Sequence, residues 1–390
     1  MAPGRSMLGS VGLNDDTRRM AAALKALGFS LEVDEANSRI AIEGGGGHIP
    51  AVHSDLNIGG AGTAMRFLAG FLTLGRGRFR LDGNDRMRER PIGALLDALR
   101  GLGVNATSER HNGCPPVMID TTGATCEGGA TTLDASLSSQ FVSALLMPAP
   151  LWPRGLKLNI VGDAARPFID MTLRLMDRWG ATTDGNGNVI VVPGGQRYSA
   201  MDFMVEPDAS SASYFAAAAA LIGGTVTLVR LTADSVQGDI GVLRVLERMG
   251  AHIQWNRDSI EVTGTGRLAG VDVDMNAMPD MVPTLAAIAP FASSPTRIRN
   301  VAFIRHHESD RLRALATELR GLGVTVNEFD DGLGIEPSVL KPATIETYDD
   351  HRIAMAFSVA GLKLAGVRIK NPGCVSKTYP GFFDDLAHLQ

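Results

Sequence analysis

The sequence predicts an α/β protein of two similar domains, each built from three copies of one helix-and-strand repeat. Two recurring patterns carry this prediction: a helix ending that stops at glycine, and a polar helix start that returns with the same period. The length and composition agree with it, because 390 residues with 45% apolar side chains can bury two large cores.

The recurring helix ending is an amphipathic stretch that finishes as Leu-Gly, Trp-Gly or Met-Gly. Five glycines close such stretches: Gly28, Gly103, Gly180, Gly250 and Gly323. They are 75, 77, 70 and 73 residues apart, and glycine suits the place because the residue after a helix commonly takes a positive φ. Strand candidates follow several of them, at Ser38–Ile42, Val189–Val192 and Ser259–Val262. One such ending is an ordinary helix stop, but five at near-equal spacing indicate a repeat.

The second pattern places residues suited to cap a helix at one helix start in each repeat. The six starts are Asp15-Asp16-Thr17, Gly62-Thr63, Asp134, Asp208, Asp280 and Asp350. A helix start offers free backbone N–H groups and the positive end of the helix dipole, so several starts that meet would bind an anion. Each of these residues, taken alone, is equally well explained as a helix cap with no role in binding.

Residues 57–92 hold the stretch best suited to bind an anion. A glycine-rich turn leads to Gly62, and Thr63 follows it where a helix N-cap is expected. Further on, three arginines precede Pro91, a favoured first residue of a helix: Arg86, Arg88 and Arg90. Two such helix starts predict a phosphorylated or carboxylated substrate. The plain alternative is an ordinary loop and a solvated basic surface.

The repeats divide into three before and three after residue 206, which predicts domains at residues 1–206 and 207–390. The sequence has no linker rich in proline, glycine or serine at this boundary. We therefore expect two closely connected domains that move about a hinge.

The composition excludes several classes of protein. The sequence has no uncharged apolar run of about 18 residues or more, so it predicts no membrane span, and its first residues lack the apolar core of a signal peptide. Three cysteines (Cys114, Cys126 and Cys374) are too few for a disulfide scaffold and lack metal-site spacing, which favours a reducing cytoplasm. The net charge of −5 argues against a nucleic-acid partner.

Seven motifs in a fixed order carry a resemblance to a known family. They are G-G-A-G-T-A-M-R, D-R-M-R-E-R-P-I, S-L-S-S-Q-F, D-M-N-A-M-P-D, H-E-S-D-R-L, Y-D-D-H-R-I-A-M and S-K-T-Y-P-G-F-F. With these motifs the chain resembles the 5-enolpyruvylshikimate-3-phosphate (EPSP) synthase family. The resemblance implies the two-domain enolpyruvyl transferase fold, with three βαβαββ repeats around a pseudo-threefold axis in each domain. It also implies an active site in the interdomain cleft, with shikimate 3-phosphate on the first domain and phosphoenolpyruvate (PEP) and the catalytic carboxylates on the second.

The activity that the resemblance implies is transfer of the enolpyruvyl group of PEP to the 5-hydroxyl of shikimate 3-phosphate. Phosphate leaves by addition and elimination, in the shikimate pathway to chorismate and aromatic amino acids. No metal and no organic cofactor is implied. We expect a cytoplasmic monomer whose partners are the two small-molecule substrates, and whose family is the target of glyphosate.

The resemblance also implies roles for individual residues. The implied catalytic pair is Asp280, a candidate base, and Glu308, which exchanges a proton with the PEP methylene. The implied PEP ligands are Gly62, Thr63, Arg90, Arg311, Arg352 and Lys377. The implied shikimate 3-phosphate ligands are Ser138, Ser139, Gln140, Arg166, Asp280 and His307. Without the resemblance, Glu308 and Arg311 would be interpreted as an ordinary helical ion pair, because they are three residues apart.

The sequence departs from the family pattern at several places. The family opens with a strand and P-G-S-K-S-x-x-x-R before its first helix. An ungapped alignment places Ala2–Ser6 in the loop after that helix, so we expect about thirty family residues to be absent. A missing closing strand would leave an uncovered sheet edge and exposed apolar faces. Single-residue departures are Gly60, Phe67, Ala165, Phe168 and His307. The histidine would make any role there sensitive to pH.

Two alternatives to an active enzyme of this kind stay open. The related UDP-N-acetylglucosamine enolpyruvyl transferase usually has a cysteine where this sequence has Asp85, and S-S-Q-F also counts against it. The other alternative is a truncated or degenerate member that binds substrate without turnover. An assay of phosphate release separates the second alternative from an active enzyme.

Overall fold

A computed structural model describes residues 1–163, 165–185 and 187–389. It divides into two compact halves, Met1–Val205 and Glu206–Gln390. The last residue of the second predicted domain, Gln390, lies outside the described residues. No helix in the described part of the chain is long and apolar enough to cross a membrane.

The amino-terminal half consists of strands and helices that alternate along the chain. Its strands are β1 Pro3–Gly9, β2 Leu31–Asp34, β3 Arg39–Gly45, β4 His53–Asn57, β5 Arg78–Asp82, β6 Asn105–Ser108, β7 Val117–Asp120, β8 Gly129–Asp134, β9 Leu156–Val161, β10 Val189–Val192 and β11 Asp202–Met204. Its helices are α1 Asp15–Ala26, α2 Gly62–Phe71, α3 Gly93–Gly101, α4 Gln140–Leu146 and α5 Arg166–Arg178.

These strands form three sheets, one per repeat, with the orders β11-β1-β3-β2, β4-β5-β7-β6 and β10-β9-β8. Each sheet has one parallel pair, namely β11 with β1, β4 with β5, and β8 with β9. Parallel neighbours need a crossover connection, and α2 and α4 supply it for the second and third pairs. We call such helices inner helices, and in this half α2 packs directly on α4.

The carboxyl-terminal half also alternates strands and helices and has three sheets, two of which contain a parallel pair. Its strands are β12 Gly224–Val229, β13 His252–Trp255, β14 Ser259–Gly264, β15 Asp272–Asp274, β16 Thr296–Arg299, β17 Val326–Phe329, β18 Gly332–Ile335, β19 Thr344–Ile345 and β20 Arg368–Ile369. Its helices are α6 Ala209–Ile222, α7 Val242–Arg248, α8 Val282–Ile288, α9 Arg311–Gly321, α10 His351–Lys363 and α11 Phe382–Ala387. The sheets have the orders β12-β14-β13, β15-β16-β18-β17 and β19-β20.

Helix α6 packs against two inner helices, α8 and α10, in the centre of the carboxyl-terminal half. Their sequences explain this burial, because α6 is a run of alanines with Tyr214 and Leu221 fully buried, and α10 buries Phe357. A helix that is apolar on all sides belongs in a core rather than on a surface. These three helices therefore form the core around which the sheets of this half are arranged.

The predicted helix endings are confirmed. All five repeat glycines have positive φ, between 84° at Gly103 and 109° at Gly250. Asp208 and Asp350 cap α6 and α10, accepting hydrogen bonds from the backbone N–H groups of Ser210 and Arg352 at 2.9 and 3.0 Å. The repeated glycines and aspartates therefore lie where the backbone needs a positive φ after a helix or a cap before one.

Three predicted helix starts are wrong in detail. Helix α2 begins at Gly62, after Ala61, and Thr63 is not its N-cap. Helix α3 begins at Gly93 instead of Pro91, whose carbonyl accepts a hydrogen bond from Arg66 at 3.1 Å. Asp134 ends β8, and its carboxylate accepts from the Ser136 N–H in a turn ahead of α4. Tertiary contacts, which a local pattern does not contain, fix these starts.

The chain start also differs from its prediction. Residues Ala2–Ser6 were expected in a loop, but Pro3–Gly9 form β1, between β3 and β11. The backbone of β1 pairs with partners about 40 and 200 positions along the chain, so its strand character comes from long-range pairing.

Candidate active site

The predicted site residues form two groups, one in each half of the chain. The amino-terminal group lies at the starts of α2 and α4, with Arg90 beside it. The carboxyl-terminal group surrounds the buried guanidinium of Arg311.

Gly62, the first residue of α2, lies directly against the guanidinium of Arg90. A Cβ atom at Gly62 would lie 2.6 Å from Arg90 Nη1, closer than side chains approach. A side chain at this position would therefore have to displace the guanidinium of Arg90. Arg66 ties the two segments together, since its guanidinium donates to the carbonyls of Gly62 at 3.2 Å and Pro91 at 3.1 Å. Arg90 itself is 7% exposed, so its charge is directed at the helix start rather than at bulk solvent.

The starts of α2 and α4 are adjacent. The side-chain amide of Gln140 donates to the Thr63 hydroxyl at 3.1 Å, and its backbone N–H donates to the Ser138 hydroxyl at 3.2 Å. Ser139 is buried next to them. Two neighbouring helix starts with hydroxyl groups and an arginine are suited to bind an oxyanion.

The other arginines of the predicted basic run are paired with carboxylates. Arg88 forms a bidentate pair with Asp82, with Nε and Nη2 each 2.9 Å from a carboxylate oxygen, and Arg86 donates to Glu89 at 3.0 Å. The hydrogen bonds from Arg88 outweigh the effect of burial and lower the pKa of Asp82 to about 2. The prediction that Arg86 and Arg88 help to form a second anion site is therefore not supported, because nearby carboxylates already balance their charges.

Arg166 lies apart from the helix-start contacts described above. Its guanidinium donates to the Asp170 carboxylate at 2.7 Å and to the Gly187 carbonyl. Arg166 is the first residue of α5, after the N-cap residue Ala165. An anion at this place would have to compete with Asp170 for the guanidinium.

The carboxyl-terminal group is a network of charges around Arg311, whose side chain is 1% exposed. Its Nη1 donates to Asp280 at 2.7 Å and its Nη2 donates to Glu308 at 2.9 Å. Arg352 Nη2 donates to the second oxygen of Asp280 at 2.9 Å, and Lys377 Nζ lies 3.4 Å from Glu308. The structure thus brings together five residues that the resemblance implied.

His307 lies at the edge of this network. Its Nδ1 is 3.2 Å from Arg311 Nη1 and 3.9 Å from Asp280 Oδ1. A protonated imidazole here would add a fourth positive charge to this network, after Arg311, Arg352 and Lys377.

Asp350 pairs with the central arginine of this network and was not predicted as a site residue. Its carboxylate is fully buried and accepts from Arg311 Nε at 2.8 Å and from the Ser309 hydroxyl at 2.9 Å. It also caps α10 through the Arg352 N–H. The sequence feature that could have identified Asp350 is its place as an acidic helix cap before His-Arg in Y-D-D-H-R. Such a cap orients the arginine that follows it.

Electrostatics keep the two central carboxylates ionised. Burial alone would raise the pKa values of Asp280 and Asp350. The guanidinium groups of Arg352 and Arg311 outweigh burial and hold the pKa of Asp280 well below its usual range, and Arg311 does the same for Asp350.

Two further buried groups, Asp239 and His351, were not predicted as site residues. Burial and the nearby charge of Asp280 raise the pKa of Asp239 to about 7, and the Ser210 hydroxyl donates to it. Burial, with the charges of Lys377 and Arg352, lowers the pKa of His351 to about 3. His351 is therefore a neutral group. No local motif distinguishes Asp239 from a surface aspartate.

Comparisons with known proteins agree with one family. The family described as EPSP synthase (3-phosphoshikimate 1-carboxyvinyltransferase) matches residues 1–386. A Trichormus variabilis protein named 3-phosphoshikimate 1-carboxyvinyltransferase is 46% identical over 98% of this chain and 90% of its own length. A Vibrio vulnificus protein of the same name is 44% identical over 100% of this chain and 91% of its own length.

Comparison with solved structures indicates the same family for the fold. An EPSP synthase structure from Acinetobacter baumannii superposes with a TM-score of 0.82 at 27% identity. The match covers 100% of this chain and 90% of that one. The enolpyruvyl transferase fold expected from the sequence is therefore confirmed.

Proposed function

The chain belongs to the EPSP synthase family, and from that premise we propose how its own residues carry out enolpyruvyl transfer. The reaction joins the enolpyruvyl group of PEP to the 5-hydroxyl of shikimate 3-phosphate and releases phosphate. The chain is accordingly a transferase of the shikimate pathway, which leads to aromatic amino acids.

We propose that the cations of the carboxyl-terminal network, Arg311, Arg352 and Lys377, bind the phosphate and carboxylate of PEP. The observation that carries this proposal is the nearly complete burial of Arg311 among carboxylates. A guanidinium removed from water forms strong, directional bonds to oxyanions. In the amino-terminal half we assign PEP contacts to Gly62, Thr63 and Arg90.

Asp280 and Glu308 occupy the places that substrate oxyanions would take. Each accepts hydrogen bonds from Arg311, while Arg352 and Lys377 pair with their remaining oxygens. PEP would compete for these donors and release both carboxylates. The pKa of Asp280 would then rise, because the charges that lower it now face the substrate. A carboxylate that is a weak base in the free protein would thereby become a better base once PEP is bound.

The chemistry that follows has two steps. In the addition, the 5-hydroxyl oxygen bonds to C2 of PEP and its proton passes to Asp280. Glu308, which takes up a proton from solvent once PEP displaces it from Arg311 and Lys377, gives that proton to the methylene carbon. In the elimination, the bond from C2 to the phosphate oxygen breaks, and the leaving phosphate takes the proton from Asp280. Glu308 recovers its proton from the methyl carbon. The arginines stabilise the charge that develops on the phosphate.

We assign the phosphate of shikimate 3-phosphate to the start of α4, with Ser138, Ser139 and Gln140 as donors. The buried Ser139 and the adjacent start of α2 support this assignment. Arg166 would also bind this phosphate, once its guanidinium releases the carboxylate of Asp170. Asp280 and His307 are assigned to the shikimate hydroxyl groups.

Rates of phosphate release with PEP and shikimate 3-phosphate test these assignments. We expect Glu308→Gln to lower kcat by roughly 10²- to 10⁴-fold, because it removes a proton donor. The matched control is Glu247→Gln, which makes the same change at an exposed pair with Arg244 and should leave kcat unchanged. Equal rates for wild type and Glu308→Gln would contradict the assignment.

We also propose a cytoplasmic location and a monomer. The unpaired state of Cys114, Cys126 and Cys374 supports the location, because a reducing compartment keeps thiols free. Sedimentation of the purified protein at several concentrations tests the monomer.

A further inference from the structure

The turn ahead of α10, at residues 347–350, has an unusual backbone for its sequence. The Thr347 carbonyl accepts a hydrogen bond from the Asp350 N–H at 2.8 Å. The two residues between them, Tyr348 and Asp349, have φ of 54° and 55°. These are the features of a type I′ turn, in which a bulky tyrosine is a true outlier. Among the described residues, no other two consecutive non-glycine residues have positive φ. Such a backbone persists only where surrounding contacts hold it.

One contact that holds the 347–350 turn comes from α9. Glu318, which is 8% exposed, accepts a hydrogen bond from the Tyr348 hydroxyl at 2.7 Å and another from the Glu346 N–H at 3.0 Å. Burial and this carboxylate raise the pKa of Tyr348 to about 12, so the hydroxyl remains a donor at neutral pH. Glu318 lies on the same helix as Arg311. The turn is therefore fastened to the helix that carries the central arginine of the network.

A second contact comes from the segment that carries Lys377. The side-chain amide of Asn371 donates to the Asp349 carboxylate at 3.0 Å. Asn371 itself has a φ of 52° and precedes the 3₁₀ helix Pro372–Lys377, which packs on α10. The 347–350 turn is therefore also fastened to the segment that places Lys377 Nζ 3.4 Å from Glu308.

The last residue of the turn, Asp350, connects it to the remaining cation. Its carboxylate accepts from the Arg352 N–H at 3.0 Å, which caps α10, and from Arg311 Nε at 2.8 Å. A change of φ within the turn would move this carboxylate and, with it, both arginines. The 347–350 turn is thus connected to all three cations that we assign to PEP in the carboxyl-terminal half.

We propose that Tyr348 and Asp349 are positioning residues, which set the three cations assigned to PEP at the places that one substrate requires. Tyr348 acts through Glu318 on α9, and Asp349 acts through Asn371 on the segment of the lysine. A misplacement of about 1 Å costs a binding or catalytic group much of its effect, so contacts remote from the substrate can control its affinity. The proposal rests on the proposed function, because it takes the assignment of these cations to PEP from there.

Two substitutions remove these contacts without imposing new strain. Tyr348→Phe removes the hydroxyl that bonds Glu318 and keeps the ring. Asp349→Gly removes the carboxylate that bonds Asn371, and glycine adopts a positive φ at no steric cost. In steady-state kinetics, each variant should raise the KM for PEP about five- to ten-fold. Because the turn holds binding groups and transfers no proton, kcat and the KM for shikimate 3-phosphate should stay within about two-fold of wild type.

Three controls separate positioning from a loss of stability. Asp349→Asn keeps an oxygen acceptor and tolerates a positive φ, so its KM for PEP should match wild type. Tyr198→Phe removes a hydroxyl that donates to the Met147 carbonyl at 2.8 Å in the amino-terminal half. Asp34→Gly removes the acceptor of the Asn37 side-chain amide in the same half. Both should leave the KM for PEP unchanged. Partial unfolding of any variant would lower the apparent kcat and leave both KM values as they are.

The proposal is overturned if either Tyr348→Phe or Asp349→Gly leaves the KM for PEP within about two-fold of wild type, or if Asp349→Asn raises it as much as Asp349→Gly does. That result in an active enzyme would leave the transferase function standing. If the wild type releases no phosphate, the proposed function fails by itself. The same variants are then compared by the PEP concentration that gives half of the maximal rise in Tm with shikimate 3-phosphate present. A wild type whose Tm does not respond to PEP would overturn both.

Discussion

Replacement of Asp350 by asparagine is the sharpest test of the charge network. The network balances three carboxylates, Asp280, Glu308 and Asp350, against three cations, Arg311, Arg352 and Lys377. Asp350→Asn keeps the shape but leaves one positive charge in excess beside a guanidinium that is 1% exposed. Loss of one partner from a buried pair costs about 3–5 kcal/mol of unfolding free energy.

A control at the surface isolates the effect of burial. Glu346→Gln makes the same chemical change at the pair with Lys370, whose side chains are 41% and 65% exposed. Surface pairs of this kind contribute about 0–1 kcal/mol. Urea unfolding of both variants should therefore show a loss several times larger for Asp350→Asn.

The pH dependence of this difference has a definite sign. The folded pKa of Asp350 lies below its unfolded value of 3.8, so its stabilising effect is present above pH 3.8 and is lost as the pH falls through the folded pKa. Wild type and Asp350→Asn should thus differ most near neutral pH and converge in acid. Equal losses for Asp350→Asn and Glu346→Gln at pH 7 would refute the buried network.

Two further predictions concern Gly62 and Asp239. Gly62→Ala should raise the KM for PEP, because the new Cβ would lie 2.6 Å from Arg90 Nη1 and displace its guanidinium; steady-state kinetics measures this. Asp239→Asn should gain stability relative to wild type as the pH rises from 5 to 8 in thermal unfolding. The folded pKa of Asp239 is about 7, above 3.8, so folded wild type binds more protons and loses stability across this window.

Each of these predictions has a control. Gly123→Ala adds a methyl group where no atom lies within 4 Å, and its KM for PEP should match wild type. An unchanged KM in Gly62→Ala would mean that Arg90 does not contact PEP. Asp184→Asn provides the comparison for Asp239, since Asp184 lies on the surface of the other half. A pH profile of Asp239→Asn parallel to that of wild type would show that Asp239 is ionised when folded.

The sequence predicted those parts of the fold that depend on local backbone chemistry. Gly28 and the four later repeat glycines end helices because a positive φ is needed there, whatever the tertiary context. Val189–Val192 was predicted with the bounds it has, because a short β-branched run ahead of Pro193 forms a strand. Helix starts were less predictable, because the place of Thr63 depends on Gln140, 77 positions away.

In the site, too, local motifs were predictable and long-range contacts were not. Motifs identified Asp280, Glu308 and Arg311, but their contacts join residues 31 and 3 positions apart. Asp350 and Asp239 were not predicted as site residues, because their importance comes from burial, which is a property of the packed core and not of the neighbouring sequence.

The most direct measurement of the central claim is a ³¹P NMR spectrum of the purified chain with equimolar PEP and shikimate 3-phosphate. Enolpyruvyl transfer predicts that the PEP resonance declines while inorganic phosphate and a new phosphate monoester grow in equal amounts, and that Glu308→Gln slows all three changes together. Resonances of both substrates that stay constant with wild type, or PEP loss without the new monoester, would contradict the account.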